Sequence, residues 1–184
     1  MTLTTEDALL RSLARTLTEN AGATLQEMAT AAGVSRATLY RFAATREQLL
    51  DAVQKHVLEV MARILDAAGL DSRPPLEALR QLIANYIEER EFCAFMISQF
   101  DPYIKRNAVA PFPEECQVFE ERLDQFFQRG QAAGAFRSDM PSRWLTDLFF
   151  GFIFTLCESE YRGRIARVDM PQLFEGMFLQ GAMA

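Results

Sequence analysis

Side chains that most often carry covalent or acid–base chemistry are scarce in this chain. There is one histidine, His56, and there are three cysteines, Cys93, Cys116 and Cys157, separated by 23 and 41 residues. A nucleophile needs a base and an orienting group within reach, and nothing in the sequence links His56 to any of the thiols. No C-x-x-C pair, Walker A loop, G-x-G-x-x-G or H-E-x-x-H pattern occurs, which removes zinc ribbons, disulfide scaffolds and the common nucleotide and metalloprotease sites. The carboxylate pairs Glu88/Glu89, Glu114/Glu115 and Glu120/Glu121 are adjacent, so a helix splits each pair to different sides and a solvated surface is expected. No enzyme, cofactor or metal site is therefore expected. The informative chemistry is of another kind: hydroxyls and cations concentrated near the N-terminus.

Residues 24 to 46 read T-L-Q-E-M-A-T-A-A-G-V-S-R-A-T-L-Y-R-F-A-A-T-R. Two short helices that cross steeply need a small residue where they touch, here Ala29, and a glycine to reverse the backbone, here Gly33. Val34 and Leu39 can pin the second helix from its inner side. A 3.6-residue period then turns Ala37, Tyr40 and Arg41 outward, with Arg36 and Thr38 on the flanks. A small residue, an amphipathic aromatic and cations on one free face suit the floor of a DNA major groove between its phosphate walls. The helix starts at Thr24, Ser35 and Thr45 offer backbone N–H groups and the positive end of a dipole to phosphates, and Arg46 adds a cation. The expected partner is double-stranded DNA.

These residues need elements to hold them, and helical periodicity supplies an all-α chain. A Ser or Thr followed three residues later by an acidic residue or Gln marks helix starts at Thr4/Asp7, Thr24/Glu27 and Thr45/Gln48. Helix one is expected over about 5–19 with Leu9, Leu10, Leu13 and Leu17 on one face, helix two over 25–32, a short third helix ending near Ala43, and a long fourth one through Ala67, ended by Gly69. Pro74 and Pro75 suit the first turn of helix five, with Leu76, Leu79, Ile83, Tyr86 and Ile87 inward. A sixth helix over 92–100, a proline-rich loop over 101–113, and a seventh helix over 114–133 follow. Asp-Met-Pro precedes each of two further apolar helices, at 139–141 and 169–171. About nine helices result, with a helix-turn-helix DNA-binding domain over 1–46 and an effector-binding, dimerising domain over 47–184.

Charge agrees with that division. The chain carries 19 Lys and Arg against 25 Asp and Glu, a net of −6, yet residues 1 to 50 are neutral and 21 to 46 carry +2. A protein coated with positive charge is excluded, and a local basic face is not. The longest uncharged run, Leu148 to Cys157, is ten residues, half of what a membrane helix requires. Glu6 and Asp7 stand where a signal peptide needs a basic start, so a cytoplasmic protein is expected.

The segment from Leu9 to Val53, above all G-V-S-R-A-T-L-Y-R-F-A-A-T-R-E-Q-L-L, resembles the TetR/AcrR family of bacterial transcriptional regulators. The resemblance implies a three-helix head, a connecting fourth helix and a body ending in two long helices. It also implies that Thr24, Arg36, Thr38, Tyr40, Arg41 and Arg46 fall on positions that touch DNA, and that Ala37 lies where a small residue approaches a base. The family usually continues Leu-Tyr-x with His and an apolar residue, whereas this chain has Phe42 and Ala43. No histidine contact is carried over, and Phe42 is open to two placements, toward the core or toward DNA.

Fourteen of the 15 phenylalanines follow residue 90. Ligand cavities in bundles open between helices lined by such side chains. The candidate wall is Phe92, Phe95, Met96 and Phe100 on helix six, Phe119, Leu123 and Phe126 on helix seven, and Phe149 and Phe152 on helix eight, which suits a small apolar or aromatic effector. Helix eight is apolar nearly all round from Leu148 to Leu156, and Gly151 and Gly176 leave room for close helix packing. A homodimer is expected through Trp144, Leu148, Gly151, Leu156, Phe174, Gly176 and Phe178. The expected function is a repressor released from a palindromic operator by its effector. The alternatives are thiol-based redox sensing on the same scaffold, with Cys93 in the pocket helix, and a helical enzyme.

Overall fold

Helices start and stop where the capping residues stand. The computed structural model describes residues 5–100 and 114–183. Among them the chain is all-α, with no strand and one isolated bridge between Phe136 and Met183. The helices are α1 Thr5–Glu19, α2 Leu25–Ala31, α3 Arg36–Phe42, α4 Arg46–Ala68, α5 Pro75–Glu88, α6 Arg90–Phe100, α7 Glu114–Ala132 and α8 Ser142–Tyr161. A 3-10 turn at Arg167–Asp169 leads into α9, which is α-helical over Met170–Phe174, widens to a π-turn over Glu175–Leu179 and closes as Gln180–Ala182. The expected start at Thr4 and the expected loop at 101–113 lie outside the described residues. No described helix is long and apolar enough to cross a membrane.

Two compact units emerge from the packing, and α4 contributes to both. The first holds α1 to α3, α4 up to Val60, and α6 from Glu91. Its core is Leu10, Leu13, Leu17, Met28, Leu39, Leu49, Val53 and Val57, all buried, as the apolar period of α1 and α4 requires. Around Phe92 three helices meet through polar groups. The Arg11 guanidinium lies 4.7 Å above the Phe92 ring and donates to Glu91 at 2.9 Å. His56 stands edge-on to the same ring at 5.0 Å, with Nε2 3.2 Å from the Asp7 carboxylate.

The second unit contains α4 from Met61, α5, α7, α8 and α9. Its interior is aromatic. Phe149 sits 5.6 Å from Tyr86 and 5.5 Å from Phe174, and Phe174 lies 4.9 Å from Phe178. A second cluster joins Phe126, Phe127 and Phe136, with ring centroids 5.2 to 5.6 Å apart. Each such ring contributes roughly 1.5–3 kcal/mol by leaving water. The α4 end is tied to α5 by the Asn85 side-chain amide, which donates to the Ile64 carbonyl at 3.0 Å.

Gly130 on α7 exists for Phe136. A Cβ at this position stands 2.2 Å from Phe136 Cδ2, and Phe136 is itself buried against two other rings. Gly130→Ala is therefore expected to lower unfolding stability by about 1–3 kcal/mol through overpacking. Urea denaturation of the variant measures the loss, and adding Phe136→Leu to it should restore part of it.

Candidate nucleic-acid interface

The turn between α2 and α3 is built by backbone hydrogen bonds. Gly33 takes φ +65°, its N–H donates to the Thr30 carbonyl at 3.1 Å, and the Val34 N–H donates to the Ala29 carbonyl at 3.0 Å. This is a Schellman closure, which needs a left-handed residue where glycine stands. Ser35 then caps α3: its Oγ accepts the Thr38 N–H at 3.0 Å and lies 2.9 Å from the Thr38 hydroxyl.

On α3 the apolar and polar sides separate as the spacing requires. Leu39 is fully buried, Val34, Thr38 and Phe42 are half-buried, and Ser35, Arg36, Ala37, Tyr40 and Arg41 are exposed. The outer face carries two arginines and a tyrosine around one small residue. Arg36 Nη2 donates to Tyr40 Oη at 3.0 Å, and the guanidinium carbon lies 5.1 Å from the Tyr40 ring centroid. The two residues stand four apart, the spacing at which side chains on one helix face meet. Phe42 is the last residue of α3 and half-buried, and Ala43, which caps the helix, is buried.

The other two helix starts form the reciprocal capping pairs that their spacing predicts. Thr24 forms a complete capping box on α2: its Oγ1 accepts the Glu27 N–H, and the Glu27 carboxylate accepts the Thr24 N–H at 2.7 Å and the hydroxyl at 2.8 Å. Those bonds hold the Glu27 carboxyl below the usual carboxylate range. Thr45 Oγ1 accepts the Gln48 N–H at 3.2 Å, while the Gln48 side chain reaches back to the Ala44 N–H. The Glu47 carboxyl is likewise held low, first by its own backbone N–H and then by Thr45. Arg46 donates through Nη2 to the Ala21 carbonyl, anchoring the loop between α1 and α2.

The residues proposed for an effector wall divide between the two units. Phe92, Phe95 and Met96 are buried in the first, and the Phe100 side chain lies outside the described residues. In the second, Phe119, Leu123, Phe126 and Phe149 are buried and Phe152 is half-buried. Phe149 and Phe152 meet through Phe174 and Phe178, whereas Phe126 belongs to the cluster with Phe127 and Phe136. Of the residues placed at a dimer surface, Trp144, Gly151 and Gly176 are exposed and Leu148 is half-buried; Leu156, Phe174 and Phe178 are buried within the single chain. The three thiols are all buried.

Residues 3–66 match the family described as the antitoxin Xre-like helix-turn-helix domain. Over nearly its whole length the chain is similar to the HTH-type transcriptional regulator NfxB of Pseudomonas aeruginosa, at 38% identity over 185 residues, 99% of this chain and 97% of that one. It is also similar to the HTH-type transcriptional repressor LfrR of Mycolicibacterium smegmatis, 25% identical over 149 residues, 81% of this chain and 75% of the other. The crystal structure of that TetR-like regulator in complex with proflavine superposes with a TM-score of 0.69, at 22% identity, covering 98% of this chain and 97% of that chain. The chain belongs to the TetR family. It is a helix-turn-helix, DNA-binding transcriptional regulator. The TetR fold extends through its body: the ketosteroid transcriptional regulator KstR2 of Mycobacterium tuberculosis, only 15% identical, matches 100% of this chain and 97% of its own with a TM-score of 0.76.

In this TetR-family head the Thr24 box makes stability depend on pH. Glu27 titrates lower when folded, so its contribution is complete above the unfolded carboxyl pKa of about 4.3 and is lost as pH falls through the lowered native value. Glu27→Gln should flatten that acid limb relative to wild type while changing the neutral-pH melt less. Thermal melts between about pH 6 and 3 check it.

Proposed function

We propose that this regulator is a cytoplasmic repressor that binds a palindromic operator as a homodimer and is released by a small apolar or aromatic effector. The observation that carries the reading is the two-sided character of α3. Leu39 is fully buried on one side, and Arg36, Ala37, Tyr40 and Arg41 are exposed together on the other. A helix so presented meets the size and charge of a major groove, with Ala37 nearest the base edges and Ser35, Thr38, Thr24, Thr45, Arg41 and Arg46 toward the phosphates. In this reading 1–46 is the reading domain and 47–184 receives the effector and the second copy.

Dimerisation is supported by the outer face of α8 and α9. Trp144 is 50% exposed and Met177 66%, large apolar side chains that a monomer would leave in water. Added Cβ atoms at Gly151 and Gly176 meet nothing within 4 Å, and Gly176 lines a groove with Ile165, Leu173 and Met177 and the polar Arg164, Asp169 and Gln172. Leu156, Phe174 and Phe178 underlie that face from inside the protomer. A dimer places two reading heads about 34 to 36 Å apart for successive major grooves. An effector that prefers another spacing weakens operator binding, and the operator weakens effector binding by the same factor.

The effector class rests on the phenylalanine-rich α6, α7 and α8. LfrR, the similar protein solved with proflavine, holds a planar aromatic molecule. In the second unit Phe119, Leu123, Phe126, Phe149 and Phe152 are the residues from which such a wall is drawn, while Phe92, Phe95 and Met96 supply buried apolar side chains in the first.

Arg41→Ala and Tyr40→Ala are expected to reduce operator affinity at least tenfold with helicity and dimerisation unchanged. Footprinting on the DNA upstream of the protein's own gene, followed by titration of the protected duplex, reads this out; operator affinity retained in both variants contradicts it. Gly151→Leu is expected to yield monomer by sedimentation and to weaken binding to the full palindrome far more than to a half-site. A panel of aromatic compounds should include one that lowers wild-type operator affinity by roughly 5- to 150-fold.

A further inference from the structure

Arg36 and Tyr40 stand one turn apart on the same face of α3, and each constrains the other. Arg36 Nη2–H donates to Tyr40 Oη at 3.0 Å while the guanidinium lies over the ring, 5.1 Å from its centroid. Both side chains are exposed. A lone exposed arginine samples many rotamers, and a hydrogen bond combined with stacking reduces that freedom before any ligand arrives. The acidic residues on either side in sequence are engaged elsewhere, Glu27 at Thr24 and Glu47 at Thr45, and Arg36 makes its hydrogen bond to the Tyr40 hydroxyl.

We propose that Arg36 and Tyr40 form one coupled reader, in which the Tyr40 hydroxyl holds the guanidinium edge that Arg36 uses to recognise a guanine in the major groove. The inference rests on the DNA-binding reading above and adds to it a base and a positioning residue. The donor count supports it. A guanidinium carries five N–H groups; giving one to Tyr40 leaves a complete two-donor edge. Among major-groove edges only guanine presents two acceptors side by side, O6 and N7. A phosphate also offers paired acceptors, but Arg36 sits next to Ala37, the small residue that lets the helix approach the groove floor. Tyr40 keeps a function of its own: with its oxygen accepting from Arg36, its O–H is still available as a donor.

The consequence is that Tyr40 affects specificity at a base it does not touch. Duplexes enriched by the full-length wild-type protein from a random-sequence library provide the probe, and sequencing the selected pools gives the base preference at each position. Wild type is expected to require a guanine at one position in each half-site. Arg36→Lys keeps the charge and loses the fork, so it should bind the pool but discriminate on the order of tenfold less at that guanine. Tyr40→Phe keeps the ring and loses the hydroxyl, and should relax preference at the same position. Circular dichroism melts like the wild type's are expected for both variants, because neither side chain is buried. Tyr40→Phe weakening every duplex by one factor, with the guanine preference intact, overturns the coupling. Arg36→Lys leaving that preference intact overturns the assignment of Arg36 to a base and places it on phosphate. A wild-type protein that enriches no duplex removes the DNA-binding reading and this inference together.

Discussion

The burial of Leu39 is the constraint on which the reading face depends. At seven residues α3 is far below the length at which a helix holds itself in water, so its position comes from its packing. Leu39 is fully buried, the Gly33 turn fixes how the chain enters α3 from α2, and Ser35 satisfies the first turn. With one side committed to the core, the side chains at 36, 37, 40 and 41 have no choice but to face out. An amphipathic helix two turns long thus becomes a presented surface, and its chemistry follows from what the sequence puts on the free side.

Different physics governs the two units. Around α1 to α3 the first unit packs aliphatic side chains, Leu13, Leu17 and Leu39 among them, and it invests its polar side chains in caps: Thr24 with Glu27, Ser35 with Thr38, Thr45 with Gln48. Such contacts fix angles between short elements, which a reader of a rigid duplex needs. The second unit is held by interlocking rings, where Phe149 meets Tyr86 and Phe174 edge to face and Phe174 lies tilted against Phe178. Offset aromatic contacts contribute about 0.5–1.5 kcal/mol beyond their area and leave apolar walls wherever the packing opens. A core of that kind can double as the lining for an apolar ligand.

Local rules made the head legible. Capping pairs, the Gly33 stop and the 3.6-residue period located α1 to α4 within a residue or two, and they separated Leu39 from Tyr40 and Arg41 on opposite faces. What escaped was set by distance in sequence. Arg11 pairs with Glu91 across 80 residues, and Arg46 turns back to the Ala21 carbonyl when its sequence position suggested a free cation. In α9 the apolar character of Phe174 and Phe178 was evident, but their facing was not. The π-turn over Glu175–Leu179 shifts the helical phase, and both rings point into the chain's own core while Gly176 and Met177 face outward. Composition alone cannot tell a core ring from a surface one.

Affinity cleavage tests most directly whether the outer face of α3 lies in a major groove. All three native thiols are buried, so Ala37→Cys offers one accessible sulfur in the middle of that face for a tethered iron chelate. Bound to its selected duplex, the labelled protein should cut in two short clusters about 10 base pairs apart, each with the strand offset that marks cleavage from the major groove. Diffuse cutting along the duplex, or a minor-groove offset, would contradict the placement of α3 as the reading helix.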